Sequence, residues 1–267
     1  PCNRSMAEPA VAPGPEPPGL GLAVQLMSQA HRAIALTGAG VSTPSGLPDF
    51  RSPGTGLWEH QDPMQVASLL AFRHHPQAFL ERMRPFAERI LTAQPNAAHR
   101  ALARLEEAGR LQGVITQNVD GLHQKAGSSR VLEIHGHLRQ ATCVACYREF
   151  PTGPFLEPLV LPGSLPRCPV CGGLLKPNII LMGEQLPHDL IRRARQWVES
   201  CDLILVAGSS LEITPAAELP YQAVEHGARC IIVNHQATSM DARADVVIHD
   251  DVAAVLPRLA AEVAYER

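Results

Sequence analysis

The 267-residue chain has a net charge of −3, and hydrophobic residues make up 45% of it while aromatic residues make up only 4%. This composition supports one large domain, or one domain with a modest insertion, whose core is built mainly from Leu, Val, Ile and Ala. A slightly acidic chain without a run of five like charges is not expected to bind nucleic acid. No stretch approaches eighteen consecutive apolar residues, so no membrane association is expected either.

The first eighteen residues contain six prolines and no apolar h-region. This predicts a disordered Pro-rich lead over 1–18 rather than a secretory signal. Residues 1–5, which precede Met6, are interpreted as the remnant of a fusion. The seven cysteines are an odd number, which favours reduced thiols over a disulfide framework. Together these features predict a cytoplasmic protein.

Apolar periodicity and turn residues predict helices and strands that alternate along most of the chain. In chain order, the predicted elements are helix 20–30, strand 33–36, helices 62–70, 76–91 and 99–108, strands 113–116, 131–134 and 178–181, helix 189–200, strand 203–207, helix 216–226, strands 229–234 and 245–248, and helix 252–262. Continuous β-branched strands between helices predict an α/β fold, in which a Rossmann-like parallel sheet is covered by helices on both faces.

The first predicted strand leads into Gly38-Ala39-Gly40-Val41-Ser42. Glycines at this point let the backbone approach a bulky anionic ligand closely. A dinucleotide fingerprint would continue with Gly or Ala and a helix, whereas this chain has Thr43 and two prolines within the next five residues. The polar residues Asp49 and Arg51 follow, where they could reach a ligand. We predict a nucleotide held in an unusual pose; a tight turn without a ligand is the alternative.

A second polar segment, residues 116–123, follows the strand 113–116 and has the sequence TQNVDGLH. An amide and a carboxylate two residues apart, such as Asn118 and Asp120, can hydrogen-bond a ligand carboxamide and a ribose hydroxyl. An ordinary turn is the alternative, because Asn-x-Asp-Gly also favours turns.

His135 follows the short strand 131–134 and precedes Gly136. A histidine there is well placed to act as a general base, because its ordinary pKa is close to neutrality. A structural or solvated histidine is the alternative. His137 lies two residues further on, and position alone does not choose between the two.

Two more polar segments follow buried strands, Gly208-Ser209-Ser210-Leu211 and the segment that begins at Asn234. The first offers backbone amides and hydroxyls to a phosphate or ribose, and the second lies where adenosine contacts usually arise. Because the carboxyl ends of parallel strands meet at one edge of a sheet, we expect all four polar segments to converge on one crevice.

Two Cys-x-x-Cys pairs, Cys143 with Cys146 and Cys168 with Cys171, interrupt the alternation of strands and helices. This spacing is typical of a four-thiolate zinc site, and four cysteine ligands leave no position for a reactive water. The zinc is therefore predicted to be structural, in a module with little core of its own. Two disulfides or a redox Cys-x-x-Cys are the alternatives. Cys2, Cys201 and Cys230 are interpreted as one tail thiol and two core thiols.

These motifs match one family in order and over nearly the whole chain, from about residue 20 to 259. The chain resembles the sirtuins, the NAD-consuming protein-lysine deacylases. The resemblance is carried by residues 38–42, 48–51, 116–120, 134–136, 176–178, 183–184 and 208–211, by the four paired cysteines, and by Asn234.

The resemblance implies a Rossmann-like NAD-binding domain over 19–137 and 176–267. It also implies a small inserted zinc-ribbon domain over 138–175, with a cleft between the two. Residues 54–95 would form a helical insertion that contributes to the small domain. We expect a monomer that uses NAD as co-substrate and acts on acyl-lysine proteins or peptides.

Carried over by position, the resemblance also implies which residues contact NAD. Asn118 and Asp120 would hold the nicotinamide end, and Phe50 would cover the nicotinamide ribose. The full implied set is Gly38, Ala39, Gly40, Ser42, Asp49, Phe50, Arg51, Trp58, Gln117, Asn118, Asp120, His135, Gly208, Ser209, Ser210, Asn234, His235, Gln236 and Val252.

In the implied reaction, nicotinamide leaves the ribose and the acyl-lysine carbonyl oxygen attacks the exposed anomeric carbon. His135, rather than His137, matches the catalytic histidine, and Asn118 is assigned to catalysis with it. His135 would act as general base through the ribose hydroxyls. Water would complete the transfer, giving free lysine, nicotinamide and acyl-ADP-ribose.

The substrate-binding residues assigned in the same way are Val119, Met182, Gly183, Glu184, Met83 and Phe86. The family usually has an aromatic residue where this chain has Met182. Sirtuins that remove succinyl or malonyl groups carry Tyr-x-x-Arg where this chain has Met83 and Phe86. These departures predict poor removal of acidic acyl groups and an apolar channel for acetyl or longer chains. Alternatively, Met83 and Phe86 belong only to the helix core.

Two classes of rival function remain open at this point. An ADP-ribosyltransferase would use similar groups but leave ADP-ribose on a protein, and a dehydrogenase is disfavoured by the broken fingerprint at Thr43. A non-catalytic, zinc-stabilised NAD sensor is disfavoured because Asn118, Asp120 and His135 are all present.

Overall fold

The computed structural model describes residues 16–49, 64, 67–153 and 165–265. Three predicted cofactor-binding residues, Phe50, Arg51 and Trp58, lie outside the described residues. So do residues 1–15 and part of the predicted helix 62–70. Within the described ranges, no helix is both long enough and apolar enough to cross a membrane.

The helices and strands alternate along the chain, as predicted. The described helices are α1 (Leu20–Gln29), α2 (Leu69–His74), α3 (Pro76–Thr92), α4 (Ala97–Glu107), α5 (Leu122–Lys125), α6 (His188–Ser200), α7 (Leu219–Glu225) and α8 (Val252–Tyr265). The described strands are β1 (Ala33–Thr37), β2 (Val114–Thr116), β3 (Val131–Glu133), β4 (Gly136–Cys143), β5 (Glu149–Pro151), β6 (Leu175–Ile179), β7 (Leu203–Ala207), β8 (Arg229–Val233) and β9 (Val246–Ile248).

Six strands form a parallel sheet in the order β3-β2-β1-β7-β8-β9. The chain adds β2 and β3 on one side of β1, and it adds β8 and β9 on the other side of β7. The direction of winding therefore reverses between β1 and β7, and the crevice at such a reversal is where doubly wound sheets bind ligands. The predicted parallel sheet is confirmed.

Helices cover both faces of this sheet, and alternate strand residues point to opposite faces. Ala35 and Leu205 pack into one cluster with α1, α4 and α8. Leu36 and Val206 pack into the other with α6 and α7. All five residues of β1 and of β7 are buried, which explains their continuous apolar sequence.

A second, three-stranded antiparallel sheet has the order β5-β4-β6 and carries the paired cysteines. The predicted strand 178–181 is wrong in position and partners, since β6 spans Leu175–Ile179 and pairs with β4 rather than with the main sheet. The sequence analysis also missed β4 and β5. Their residues alternate poorly between buried and exposed, and an irregularity in the pairing between Gly136 and Ala141 disturbs the period.

Three helix predictions need correction. In the predicted helix 62–70, Ser68 is extended and caps α2, which begins only at Leu69. The predicted helix 216–226 is a 3-10 turn over Ala216–Glu218 followed by α7, which has Pro220 in its first turn. Proline is tolerated there because its missing N–H would have no partner within the helix. The short helix α5 was not predicted, and it follows Gly121, whose φ of +69° is costly for other residues.

Candidate active site

The loop after β1 touches the loop after β7 through three glycines. The N–H of Gly40 donates to the carbonyl of Gly208 at 2.9 Å. A Cβ on Gly38 would lie 2.8 Å from that carbonyl oxygen, and a Cβ on Gly208 would lie 2.3 Å from the nitrogen of Val41. The glycines are thus required by the packing of two loops. The sequence analysis had attributed them to the approach of a ligand.

Three backbone N–H groups belong to the two loops that form this contact. Those of Ala39, Ser209 and Ser210 have no hydrogen-bond partner among the described residues. Ser209 is buried, with only 4% of its surface exposed, whereas Ala39 is half-buried and Ser210 is exposed. Since buried N–H groups in proteins are nearly always paired, the N–H of Ser209, with those of Ala39 and Ser210 nearby, suits the oxygen atoms of an anionic ligand. The residues present therefore fit the diphosphate of a dinucleotide.

Asn118 and Asp120 are fixed against the glycine loop by Ser42. The amide nitrogen of Asn118 donates to the Gly38 carbonyl and to the Ser42 hydroxyl, both at 3.0 Å. The Ser42 hydroxyl donates to the Asp120 carboxylate at 2.7 Å. Both polar residues are 8% exposed, and burial raises the pKa of Asp120 above its ordinary value. The structure thus brings together the polar groups that follow β1 and β2.

His135 lies at the same edge of the sheet. Its Nδ1 is 3.0 Å from the carbonyl oxygen of Gln117, which can only accept a hydrogen bond. We therefore assign the proton to Nδ1, which leaves the lone pair on Nε2. Burial lowers the pKa of His135 below 6.5, so that the ring is neutral at pH 7. The Gln117 side chain in turn donates to the Ser209 hydroxyl at 2.9 Å, which links His135 to the glycine loops.

His137 lies in a different environment, although it is only two residues away. Gly136 has a φ of +82°, and a Cβ there would lie 2.0 Å from the carbonyl oxygen of Asn178. The chain turns at this glycine and enters β4 of the second sheet. The Nδ1 of His137 is buried and has no partner among the described residues. Among the described residues, His135 forms a hydrogen bond with the polar segment after β2, and His137 forms no such bond.

The paired cysteines meet in the second sheet, and their sulfur atoms all lie within 4.8 Å of one another. The Sγ atoms of Cys143 and Cys171 are 3.5 Å apart, and those of Cys146 and Cys168 are 3.7 Å apart. A tetrahedral zinc with bonds of 2.3 Å requires sulfur atoms about 3.8 Å apart. The backbone N–H groups of Cys146 and Ala145 point at the Cys143 sulfur and lower the pKa of its thiol to about 6. The four cysteines therefore fit a structural zinc ion.

Comparison with known proteins assigns the family. The sequence model of the Sir2 family matches residues 38–215. The chain belongs to the Sir2 family.

Relatives of this sirtuin match it over nearly their whole length. NAD-dependent protein deacylase 2 of Archaeoglobus fulgidus is 42% identical over 242 residues, which cover 90% of this chain and 94% of that protein. A solved structure described as "Structural Basis for the Mechanism and Regulation of Sir2 Enzymes" has a TM-score of 0.86 at 42% identity and covers 93% of this chain and 98% of that chain. Another, described as "Sir2-p53 peptide-NAD+", has a TM-score of 0.82 at 38% identity and covers 90% and 96%.

The predicted NAD contacts that follow β8 and β9 include Asn234 and Gln236, which were assigned to the adenosine end of NAD. Asn234 is 9% exposed, and its amide donates to the Gln236 carbonyl at 2.8 Å. His235 and the side chain of Gln236 are exposed. Val252 is buried as the first residue of α8. Because Gly208 N–H donates to the Val233 carbonyl at 3.0 Å, this region is continuous with the glycine loops.

The segment that carries Met182 is tied to the start of α2. The Met182 N–H donates to the Ala67 carbonyl at 2.9 Å, and its carbonyl accepts from Leu69 N–H at 3.0 Å. Gly183 is exposed, with a φ of +84°. The Glu184 carboxylate lies 3.0 Å from the Lys176 ammonium and accepts the Leu181 N–H at 2.7 Å. Glu184 therefore stabilises the conformation of this segment.

Met83 and Phe86 lie on α3, and together with Val119 they pack against the apolar clusters that this helix contacts. Met83 packs against the cluster that contains Phe79, and Phe86 packs against the cluster that contains Ile90. Val119 contacts both clusters. All three are half-buried. Met83 and Phe86 thus contribute to the helix core, as the alternative interpretation holds, and still expose part of their surface. Asp49 is also half-buried, at the end of the described part of the loop.

Sequence reasoning missed two buried histidines under the site. His99 is 0% exposed and His123 is 1% exposed, and their rings pack edge to face with centroids 4.9 Å apart. His99 Nε2 is 3.4 Å from the Ser42 hydroxyl. Burial lowers the pKa of His99 to about 4 and that of His123 to about 3, so that both rings are neutral. The spacing of Asn96 and His99, which forms a capping box at the start of α4, was the available signal.

Proposed function

We propose that this protein is an NAD-dependent protein-lysine deacylase, which consumes NAD and releases nicotinamide, acyl-ADP-ribose and free lysine. The observation that carries the proposal is the neutral His135, whose Nδ1 is held by the Gln117 carbonyl beside the glycine loops. A base in this state, next to an anion cradle, suits proton removal from a bound ribose. Membership of the Sir2 family and the name of the Archaeoglobus fulgidus relative support the same reaction.

We assign the NAD-binding role to the residues that converge at the reversal between β1 and β7. The N–H groups of Ala39, Ser209 and Ser210 would hold the diphosphate. Asn118 and Asp120 would hold the nicotinamide end, and Asn234 the adenosine ribose. NAD supplies an anomeric carbon that becomes electrophilic when its bond to nicotinamide breaks. Phe50, Arg51, Trp58 and the remaining predicted contacts complete the proposed site.

His135 performs the proton transfer in this proposal. Its Nε2 lone pair accepts a proton from a ribose hydroxyl, and its Nδ1–H stays on the Gln117 carbonyl, which keeps the ring in one orientation. Since burial already holds the ring neutral, no proton has to leave it before the reaction. The base form persists below pH 6.5 because the pKa of His135 is lowered.

The substrate is proposed to be an acyl-lysine peptide that binds in extended form between the two sheets, near Met182 and Gly183. Strand addition of this kind discriminates weakly among side chains. Met83, Phe86 and Val119 would face the acyl group with apolar surface, so acetyl and longer apolar acyls are preferred over succinyl. We further propose a cytoplasmic monomer with the domain bounds given above, and a structural zinc on the four cysteines that contributes to folding.

The test is a panel of acetyl, butyryl, myristoyl and succinyl lysine peptides, assayed with NAD beside His135→Ala. We expect acetyl-lysine to be removed at least tenfold faster than succinyl-lysine, and His135→Ala to lower kcat by about 10²- to 10⁴-fold. His226→Ala changes an exposed histidine that directly follows α7. This variant serves as the matched control and keeps full activity. Transfer of a mass-tagged ADP-ribose to protein without release of free lysine would indicate an ADP-ribosyltransferase.

A further inference from the structure

A series of buried hydrogen bonds connects the carboxyl ends of the neighbouring strands β1 and β2. His123 Nε2 lies 2.9 Å from the Thr37 hydroxyl, and that hydroxyl lies 2.9 Å from the hydroxyl of Thr116. Thr37 and Thr116 are the last residues of β1 and β2 and face each other in the sheet. None of the three residues is more than 2% exposed. This series of hydrogen bonds therefore begins at His123 on α5 and continues through Thr37 to Thr116, and all three side chains are shielded from solvent.

The direction of donation along this series of hydrogen bonds follows from His123. Its Nδ1 is buried and has no partner among the described residues. A proton on Nδ1 would be a buried donor without an acceptor, and orphaned donors are rarer in proteins than under-satisfied acceptors. We therefore assign the proton to Nε2, which donates to Thr37. The Thr37 hydroxyl then donates to Thr116, and the Thr116 oxygen also accepts the Asn118 N–H at 3.1 Å.

At its other end, this series of hydrogen bonds reaches the peptide group between Gln117 and Asn118. The Asn118 N–H and the Gln117 carbonyl belong to the same planar unit, so holding the N–H also fixes the direction of the carbonyl. That carbonyl accepts the Nδ1–H of His135 at 3.0 Å. The peptide plane thus decides which nitrogen of His135 carries the proton and where its Nε2 lone pair points.

We propose that His123 is a positioning residue for the reaction, because it holds the Gln117–Asn118 peptide in the orientation that His135 requires. This inference rests on the proposed function, since it assigns His123 a part in the proton transfer by His135. His123 touches neither the ribose nor the acyl group in this scheme, and it acts only through Thr37 and Thr116. A histidine that merely filled the core would contribute to stability alone.

The test compares His123→Phe with His123→Gln in the full chain. Phenylalanine keeps the ring volume and loses the donor, whereas the glutamine amide keeps an N–H near the position of Nε2. Two rates are measured: incorporation of labelled nicotinamide into NAD in the presence of acyl peptide, and release of free lysine. The first precedes the proton transfer to His135 and the second requires it.

For His123→Phe we expect lysine release to fall about 10- to 100-fold while nicotinamide exchange stays within about twofold. His123→Gln recovers most of the loss. Thr37→Val breaks the same series of hydrogen bonds at the next position and leaves His123 intact. We expect it to give the same ratio of the two rates, and it replaces His123→Phe as the test if that variant folds poorly. Leu105→Ala, which removes a buried side chain of α4, lowers stability without changing that ratio. An equal loss of both rates, or identical behaviour of the Phe and Gln variants, overturns the proposal.

A spectroscopic readout separates this inference from the proposed function. The ¹⁵N chemical shifts of the His135 ring report which nitrogen carries the proton, whether or not the enzyme turns over. We expect the Nδ1–H form to dominate in wild type and His123→Gln, and a mixture of both forms in His123→Phe. If the wild type has no deacylase activity, the proposed function is wrong. The chemical shifts of His135 still test the positioning role of His123 in that case. Unchanged His135 shifts in His123→Phe overturn the positioning role.

Discussion

The six-stranded sheet and the three-stranded sheet are stabilised by different means. The larger one buries β1 and β7 completely between two helical layers. Among the described residues, the buried cluster that contains the cysteines of the smaller sheet has four members, two of which are Cys143 and Cys168, while Ile179 of β6 packs with α2 and α3 instead. Apolar burial alone can stabilise the first, whereas we expect the second to depend on a metal bound by the four cysteines, because a cluster this small offsets little conformational entropy.

Removal of the zinc is expected to have the largest effect on the difference in stability between the two sheets. We expect Cys168→Ser to lose bound zinc and to expose the backbone amides of β4 and β6 to solvent, while those of β1 and β7 stay protected. Deacylation is abolished because the Met182 segment follows β6. Zinc analysis and hydrogen exchange resolved by segment check this. Cys201→Ser, at a buried cysteine outside the cluster, keeps its zinc, and full protection of β4 in Cys168→Ser would contradict the metal's role.

The next largest effect concerns the glycine contact within the large sheet. Gly208→Ala brings a Cβ to 2.3 Å from the Val41 nitrogen and also strains a φ of +60°. We expect it to lower the free energy of unfolding by about 3 kcal/mol, measured by urea denaturation. Gly109→Ala is the matched control, since its φ is +70° but its Cβ would meet nothing within 4 Å. It should cost only about 1 kcal/mol; equal losses would show that the loop contact does not matter.

The buried histidines make the large sheet sensitive to acid. Below pH 6.5 the unfolded chain takes up protons on His99 and His123, whereas the folded protein resists protonation down to pKa values of about 4 and about 3. The free energy of unfolding therefore falls as the pH is lowered through this window. Between pH 7 and pH 5, His123→Gln should lose about 2 kcal/mol less than wild type in urea denaturation. Parallel pH profiles of the two proteins would refute this.

The smallest effect is expected where the second sheet meets the substrate segment. Glu184→Gln removes the charge that pairs with Lys176 at 3.0 Å and weakens the support of Met182. Loss of about 1 kcal/mol of this support would raise the peptide KM about fivefold without changing the KM for NAD. Asp189→Asn, in the exposed pair with Arg192, is the control and should change neither constant. An equal rise in both KM values would mean that Glu184 acts on the whole site.

The sequence-based predictions were more accurate for the six-stranded sheet than for the three-stranded sheet. The strands 33–36 and 203–207 were predicted closely because a strand buried on both faces is written as a continuous apolar run. β4 and β5 were missed because half-exposed strands next to cysteines and prolines have no such pattern. The cysteine cluster was predicted correctly, since its ligand spacing is visible in the sequence.

The sequence analysis named residues for the candidate site but not the contacts between them. The convergence of residues 38–42, 116–120 and 208–210 followed from strand order, because each segment follows a parallel strand. The burial of His99 and His123 and their contacts with each other could not be found in this way. A buried histidine in a polar segment looks the same in sequence as an exposed one.

The sequence by itself determined the fold class, the four thiolates and the polar strand ends, because periodicity and short-range spacing are properties of neighbouring residues. Tertiary structure decided which groups meet. Thr37 and Thr116 are 79 residues apart, and Thr37 and His123 are 86 residues apart. Only the packing of β1, β2 and α5 brings these groups within hydrogen-bond distance. That packing also decides which nitrogen of His135 carries the proton, through a carbonyl 18 residues away.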